Sequence, residues 1–141
     1  MPPSTITPAS IFVVKVPDID TVGMFTRCSG LELTIDVFQY AEGGNNEFVH
    51  HLPGRLSYPN LVLTRGLTDQ DAVFKWFSAT RTQPQLKEVT IIFQTHKGQP
   101  IRTFTFADAY PVRWSGPSAE AGTATVALEV LEIAHSGLKD L

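Results

Sequence analysis

The stretch LELTIDVFQY, residues 31–40, alternates apolar and polar residues, whereas the passage entered at its last tyrosine, YAEGGNNEFVHHLPGR (40–55), does not. In the first, Leu31, Leu33, Ile35 and Val37 share one face and Glu32, Thr34 and Asp36 the other. That is the two-residue period of a strand with one buried and one wetted face. The second has the paired glycines and asparagines of a loop, yet Phe48, Val49 and Leu52 within it are apolar. A hairpin connection usually takes about 2–5 residues, and a much longer one is functional or disordered. Disorder is disfavoured, because it would leave an apolar cluster in water. Gly43 and Gly44 admit positive φ, so the chain can turn out and back. The passage therefore reads as an arm whose tip, Phe48, His50 and Leu52, lies on a neighbouring subunit.

Around this pair the chain reads as strands. Residues 1–10, with three prolines, form an extended arm, and residues 11–141 one domain. IFVVKV (11–16) is a strand, and 17–30 a connection with a helical turn. LSYPNLVLTRG (56–66) is a further strand, with Pro59 marking an edge or a bulge near its start. Residues 67–80 form a helix, with Thr68 and Asp71 as a capping box and Val73, Phe74 and Phe77 on the stripe that meets a sheet. KEVTIIFQTHKGQPIRTFTF (87–106) is a hairpin and AYPVRWSGP (109–117) a short extended piece. TATVALEVLEIAH (123–135) fits either a helix, with Gly137 as its C-cap, or a strand. Six or seven short strands and one helix give a mainly β chain, a sandwich or barrel with an attached helix.

The totals restrict function. A chain of 141 residues that is 43% hydrophobic holds one real core, and its single cysteine, Cys28, excludes an internal disulfide framework. A net charge of −3 without a basic run speaks against phosphate-mediated nucleic-acid binding. MPPSTITPAS lacks the features of a signal peptide, and no apolar run reaches the ~20 residues of a spanning helix, so a soluble chain with no membrane insertion is expected.

Chemistry is sparse. His50 and His51 are adjacent; on a strand they would point to opposite faces and could not chelate one ion together, on a loop they would still need further partners, and no zinc spacing occurs elsewhere. Cys28 reads as a small core residue, and Gly43-Gly44 lacks the lysine and helix of a phosphate loop. Glu32 and Asp36 are about 13 Å apart along a strand, too far for the usual acid–base pairs. Trp76 and Trp114 read as packing residues, the first between helix and sheet and the second at a sheet edge. The expectation is a non-enzyme without metal or cofactor. Unpaired strand edges and an arm in need of a neighbour favour assembly instead.

In order, GMFTRCSGLELTIDVFQYAEGGNNEFVHHLPGRLSYPNLVLTRGLT, VFKWF and ADAYPVRWSGPSAEAGTATVALEVLEIAHSGL resemble the inner tube proteins of contractile injection systems, across residues 8–138. These include myophage tail tube proteins and their relatives in extracellular injection particles. The resemblance implies two antiparallel sheets forming a small barrel or sandwich, one flanking helix, and a long extended hairpin loop. It makes the segment 123–135 mainly strand. It implies hexameric rings stacked into a hollow tube inside a contractile sheath, assembled in the bacterial cytoplasm and driven through a target envelope. Implied partners are copies of the chain itself, sheath, baseplate or spike and tube-terminator proteins, and protein cargo in the lumen. The extended loop implied to touch the adjacent ring or subunit comprises Tyr40, Glu42, Gly43, Gly44, Asn45, Asn46, Phe48, His50, His51, Leu52, Pro53, Gly54 and Arg55. With it, the wetted face Glu32, Thr34 and Asp36 becomes a candidate channel lining. A type VI secretion tube protein and a tube initiator or baseplate adaptor share the implied fold. A small ligand-binding barrel or hydrolase would need a pocket of convergent polar groups.

Overall fold

The computed structural model describes residues 11–19, 25–40, 50–67, 71–118, 121–122 and 127–139. Its strands are β1 (Ile11–Lys15), β2 (Arg27–Ser29), β3 (Thr34–Tyr40), β4 (His50–Ser57), β5 (Leu61–Gly66), β6 (Lys87–Gln94), β7 (Pro100–Ser115) and β8 (Leu128–Ala134), with helix α1 (Ala72–Thr82) between β5 and β6. β1, β6, β7, β8, β5 and β2 form one sheet in that order, and among the described residues β3 pairs with β4 alone. Every pairing is antiparallel. The mainly β, two-sheet, single-helix expectation holds, but the six-strand order is linear. Among the described residues no barrel closes, and β1 and β2 are left as edges.

β7 ties the large sheet together by changing partner along its length. Its first part pairs with β6 as far as Ala109↔Lys87, and from Tyr110↔Ala134 onward it pairs with β8. At the change, Val89 and Lys87 of β6 span Phe106 to Ala109 of β7, and Asp108 has φ 50°. An extra residue held in the left-handed region bends the strand and increases its twist. The segment 109–117, expected as a separate short piece, is thus mostly the far end of a 16-residue strand. Its Trp114 pairs with Leu131 of β8 alone, beyond the last β6 partner at Ala109, so it sits on a locally open side of the sheet, in keeping with the edge position expected for it.

Alternate residues of these strands meet α1 around one core. Val14, Leu61, Leu63, Val89, Ile91, Leu131 and Ile133 are its fully or nearly fully buried aliphatics, joined by Phe106, Phe25 and, from the helix, Val73 and Trp76. Of the stripe expected at Val73, Phe74 and Phe77, Val73 is buried, and Trp76 packs between helix and sheet as expected. Trp76, three residues after Val73, is the large residue turned inward, and its indole N–H donates to the Gln85 carbonyl at 3.3 Å. Phe74 remains largely exposed and meets the edge of Trp114. Asp71 occupies the N-cap but makes no side-chain cap bond; it pairs instead with Lys75. Thr68, the other half of the expected capping box, lies outside the described residues, as does the arm 1–10.

Three other expectations change. The connection 17–30 contains β2, which adds Cys28 opposite Leu63. The single strand expected over 56–66 is two, β4 and β5, broken at Tyr58-Pro59-Asn60, where proline has no N–H to give a ladder. The segment 123–135 ends as strand β8, and its first part, 123–126, lies outside the described residues.

Candidate assembly interface

The pair β3–β4 stands apart from the core that the other elements share. Its register runs Thr34↔Ser57, Ile35↔Leu56, Val37↔Pro53, Phe38↔Leu52, Gln39↔His51 and Tyr40↔His50, with one irregularity between Ile35 and Val37. There Gly54 lies so close to β3 that a Cβ would meet the Asp36 carbonyl oxygen at 2.9 Å, so glycine is what lets the bulged strand close up. Leu52 to Arg55, and His50 and His51 before them, were expected in a loop; they are the body of β4. Tyr40 likewise belongs to β3. Glu42, Gly43, Gly44, Asn45, Asn46 and Phe48 lie outside the described residues.

The strand expected over 31–40 begins at Thr34, so of the apolar face predicted for 31–37 only Ile35 and Val37 lie on it, and this chain does not bury them. Ile35 is 55% exposed, Val37 65%, Phe38 60% and Leu52 50%, and Leu31, Leu33 and Leu56 are also exposed. From Thr34 to Gln39 and from His51 to Ser57, no residue belongs to the core. Strand parity places Ile35 and Leu56 together on one face, and the pair Phe38 and Leu52 on the other with Thr34 and Asp36. The face read as uniformly wet therefore turns apolar toward Phe38. Glu32, Thr34 and Asp36 are exposed. A solitary two-stranded ribbon with apolar side chains on both faces is marginal in water and calls for a covering surface.

The base of the ribbon is held firmly. Gly30, φ +96°, lies against the Asn60 carbonyl, which a Cβ would approach to 2.2 Å. Beyond it, Leu31, Glu32 and Leu33 face Arg102, Phe104, Phe106 and Leu138 across a cleft of about 230 Å³. Arg102 stacks over the Phe104 ring at 4.9 Å. The cleft is apolar apart from one acid and one base.

A charged network inside the core was not foreseen. Arg65 and Glu129 are direct partners on β5 and β8, both buried, and the Arg65 Nε donates to Glu129 Oε2 at 2.9 Å. Trp114 Nε1 donates to Oε1 of the same carboxylate at 2.7 Å, and the guanidinium lies 5.3 Å from the Phe25 ring centre. The signal was parity. Arg65 continues the inward series Leu61, Leu63, and Glu129 the series Leu131, Ile133. Such a pair fixes strand register and leaves no reactive group facing solvent.

Burial pushes the Cys28 thiol up to about 11, which keeps it from being a nucleophile at neutral pH. Among the described residues no group of three or more potential ligands could hold a metal ion, and no helix is long and apolar enough to cross a membrane. A second cleft, of about 350 Å³, lies between α1 and the turn at Asp18, with Lys75, Lys87 and Trp76 on its walls.

No curated protein matches the chain significantly in sequence. Solved structures do match. A chain of the anti-feeding prophage baseplate is 25% identical, with a TM-score of 0.75 over 99% of this chain and 96% of that one. A chain of the sheath–tube complex of an extracellular contractile injection system (PVC) is 23% identical, with a TM-score of 0.79 over 94% and 89%. A type six secretion system protein shares the fold at 12% identity and a TM-score of 0.60, over 89% of this chain and 78% of that one. Residues 8–139 match the model of the T4-like virus tail tube protein gp19 family. The chain belongs to that family, and is a structural protein of a phage tail or tail-like particle.

Proposed function

We propose that this chain is the repeating subunit of an inner tube, in which hexameric rings stack into a hollow conduit inside a contractile sheath. The observation that carries the reading is the β3–β4 ribbon, whose Ile35, Val37, Phe38, Leu52 and Leu56 are apolar, exposed and apart from the chain's own core. A ribbon of this kind is stabilised when a neighbour covers it, and the open edges β1 and β2 are satisfied in the same way. A head-to-tail contact of that type propagates, giving rings and then a tube. In this arrangement Tyr40, Glu42 to Asn46, Phe48 and His50 to Arg55 meet the adjacent subunit or ring. Glu32, Thr34 and Asp36 line the channel through which cargo passes. The role is structural rather than catalytic. Assembly takes place in the bacterial cytoplasm, with sheath, baseplate or spike and terminator proteins as partners.

Electron microscopy of the purified chain, alone and with its sheath protein, tests this. Rings or tubes of uniform width are expected. A monomer at high concentration that also fails to join a sheath would overturn the proposal. The likeness to a baseplate chain supports a second reading, an adaptor at the end of the tube. An adaptor would stop at a single ring, whereas a repeating subunit elongates.

A further inference from the structure

The ribbon's return strand reaches the main sheet through Tyr58-Pro59-Asn60, and this connector is held by one imidazole. His135 follows β8 directly. Its Nδ1 accepts the backbone N–H of Gly137 at 3.0 Å, which leaves the ring proton on Nε2, 3.2 Å from the Pro59 carbonyl oxygen. The ring is sandwiched as well. Tyr58 stacks on it at 4.8 Å and 18°, and Phe106 of β7 meets it edge-on at 4.6 Å. The segment after the ring is zipped to β7 by the N–H groups of Ser136 and Lys139, donated to Ala107 and Thr105, and by Ala107 N–H to the Gly137 carbonyl. One neutral side chain thus joins three parts: the ribbon's connector, the bend of β7 and the C-terminal segment.

We propose that His135 is a proton-sensitive clamp on the base of the β3–β4 ribbon, so that acidification frees the connector and loosens the ribbon without unfolding the six-stranded sheet. The chemistry is direct. An imidazole that accepts at one nitrogen and donates at the other satisfies both neighbours; an imidazolium has only donors. Protonation at Nδ1 sets two N–H groups, its own and that of Gly137, against each other 3.0 Å apart, so the ring or the segment must move. The stack on Tyr58 and the contact to Pro59 move with it. Gly30, packed on the Asn60 carbonyl, passes the displacement to the strand that enters the ribbon.

The titratable side chain facing the ring is Tyr58, from the connector. β7 presents Phe106, and on the C-terminal segment Lys139 is engaged with Glu88 of β6. Burial lowers the pKa of His135 from its ordinary 6.5, and the Pro59 carbonyl opposes this more weakly. The clamp is therefore closed at neutral pH and opens below about 6.5.

The test uses the full chain, before any assembly, and so stands apart from the tube reading. Hydrogen–deuterium exchange, corrected for the intrinsic pH dependence, is compared at pH 7.5 and pH 5 for the wild type and His135→Asn, whose amide oxygen can still accept from Gly137 but does not titrate. In the wild type, peptides spanning 50–60 are expected to exchange about three- to tenfold faster at the lower pH, the range set by loss of one hydrogen bond. β6 should be unchanged, and the variant should show no such step. An equal step in both proteins, or none in the wild type, overturns the clamp. Imidazole nitrogen NMR of the wild type is a second arm that needs no variant. A proton on Nδ1 at pH 7.5, or a midpoint above 6.5, overturns it equally.

Discussion

Replacing Phe38 and Leu52 by serine separates the ribbon's part in assembly from its part in folding. Both side chains are half or more exposed in the single chain and pair across β3 and β4. Burying a Leu or Phe side chain completely is worth about 1.5–3 kcal/mol. With half of each surface still to be covered, each retains about 1 kcal/mol or more to gain from a neighbour, together about 2–3 kcal/mol per contact. The critical concentration for tube formation should then rise by about 30- to 150-fold. The assay is sedimentation of assembled material over a concentration series, with circular dichroism melts of the unassembled protein alongside. Because no core residue is touched, the melting temperature should shift little. An unchanged critical concentration, or collapse of the isolated fold, would refute the reasoning.

Four other outcomes follow. Glu129→Ala strips a buried guanidinium of its carboxylate and the Trp114 indole of its acceptor, and should cost about 3–5 kcal/mol by denaturant titration, since removing one partner of a buried pair leaves a charge uncompensated. Gly30→Ala must fit a methyl 2.2 Å from the Asn60 carbonyl at positive φ, and should cost at least about 1–3 kcal/mol, with amide shift changes at Asn60 and Leu61. Cys28, its thiol pushed up to about 11, should react with a thiol reagent at pH 7.5 far more slowly in the native protein than after denaturation. For His135 the folded pKa lies below the unfolded one, so between the two the unfolded chain binds more protons. Its contribution to stability is complete above about pH 6.5 and is lost as pH falls toward the folded value, and paired melts of wild type and His135→Asn would resolve that difference.

The sequence made the alternation of 31–37 plain, and with it the existence and register face of β3. It could not say that the apolar side would stay uncovered, because a period of two marks a face that needs burial without marking which chain buries it. The same limit explains His50 to Arg55. A proline and a glycine within six residues read as a loop, whereas Pro53 opposite Val37 and Gly54 against Asp36 are features of one bulged strand. Residues 56–66 looked continuous because Leu56, Leu61 and Leu63 are all apolar, yet they belong to different sheets on either side of Pro59. Trp76 was legible as a residue packing between helix and sheet, but Phe74, an equally apolar neighbour two positions away, was placed on the same buried stripe and is left largely exposed. Arg65 and Glu129 were legible only by extending strand parity through charged residues, against the ordinary expectation that charges stay outside. His135 carried no signal of its own, since its partners lie far away in the chain at Tyr58, Pro59 and Phe106.

The account rests on the β3–β4 ribbon being covered by a second copy of the chain. Cryo-electron microscopy of the assembled protein, at a resolution that shows side chains, measures this directly. It should find six subunits per ring, with Ile35, Val37 and Leu56 or Phe38 and Leu52 buried against a neighbour in the same or the adjacent ring. A tube in which the ribbon projects into solvent with both faces bare would contradict it.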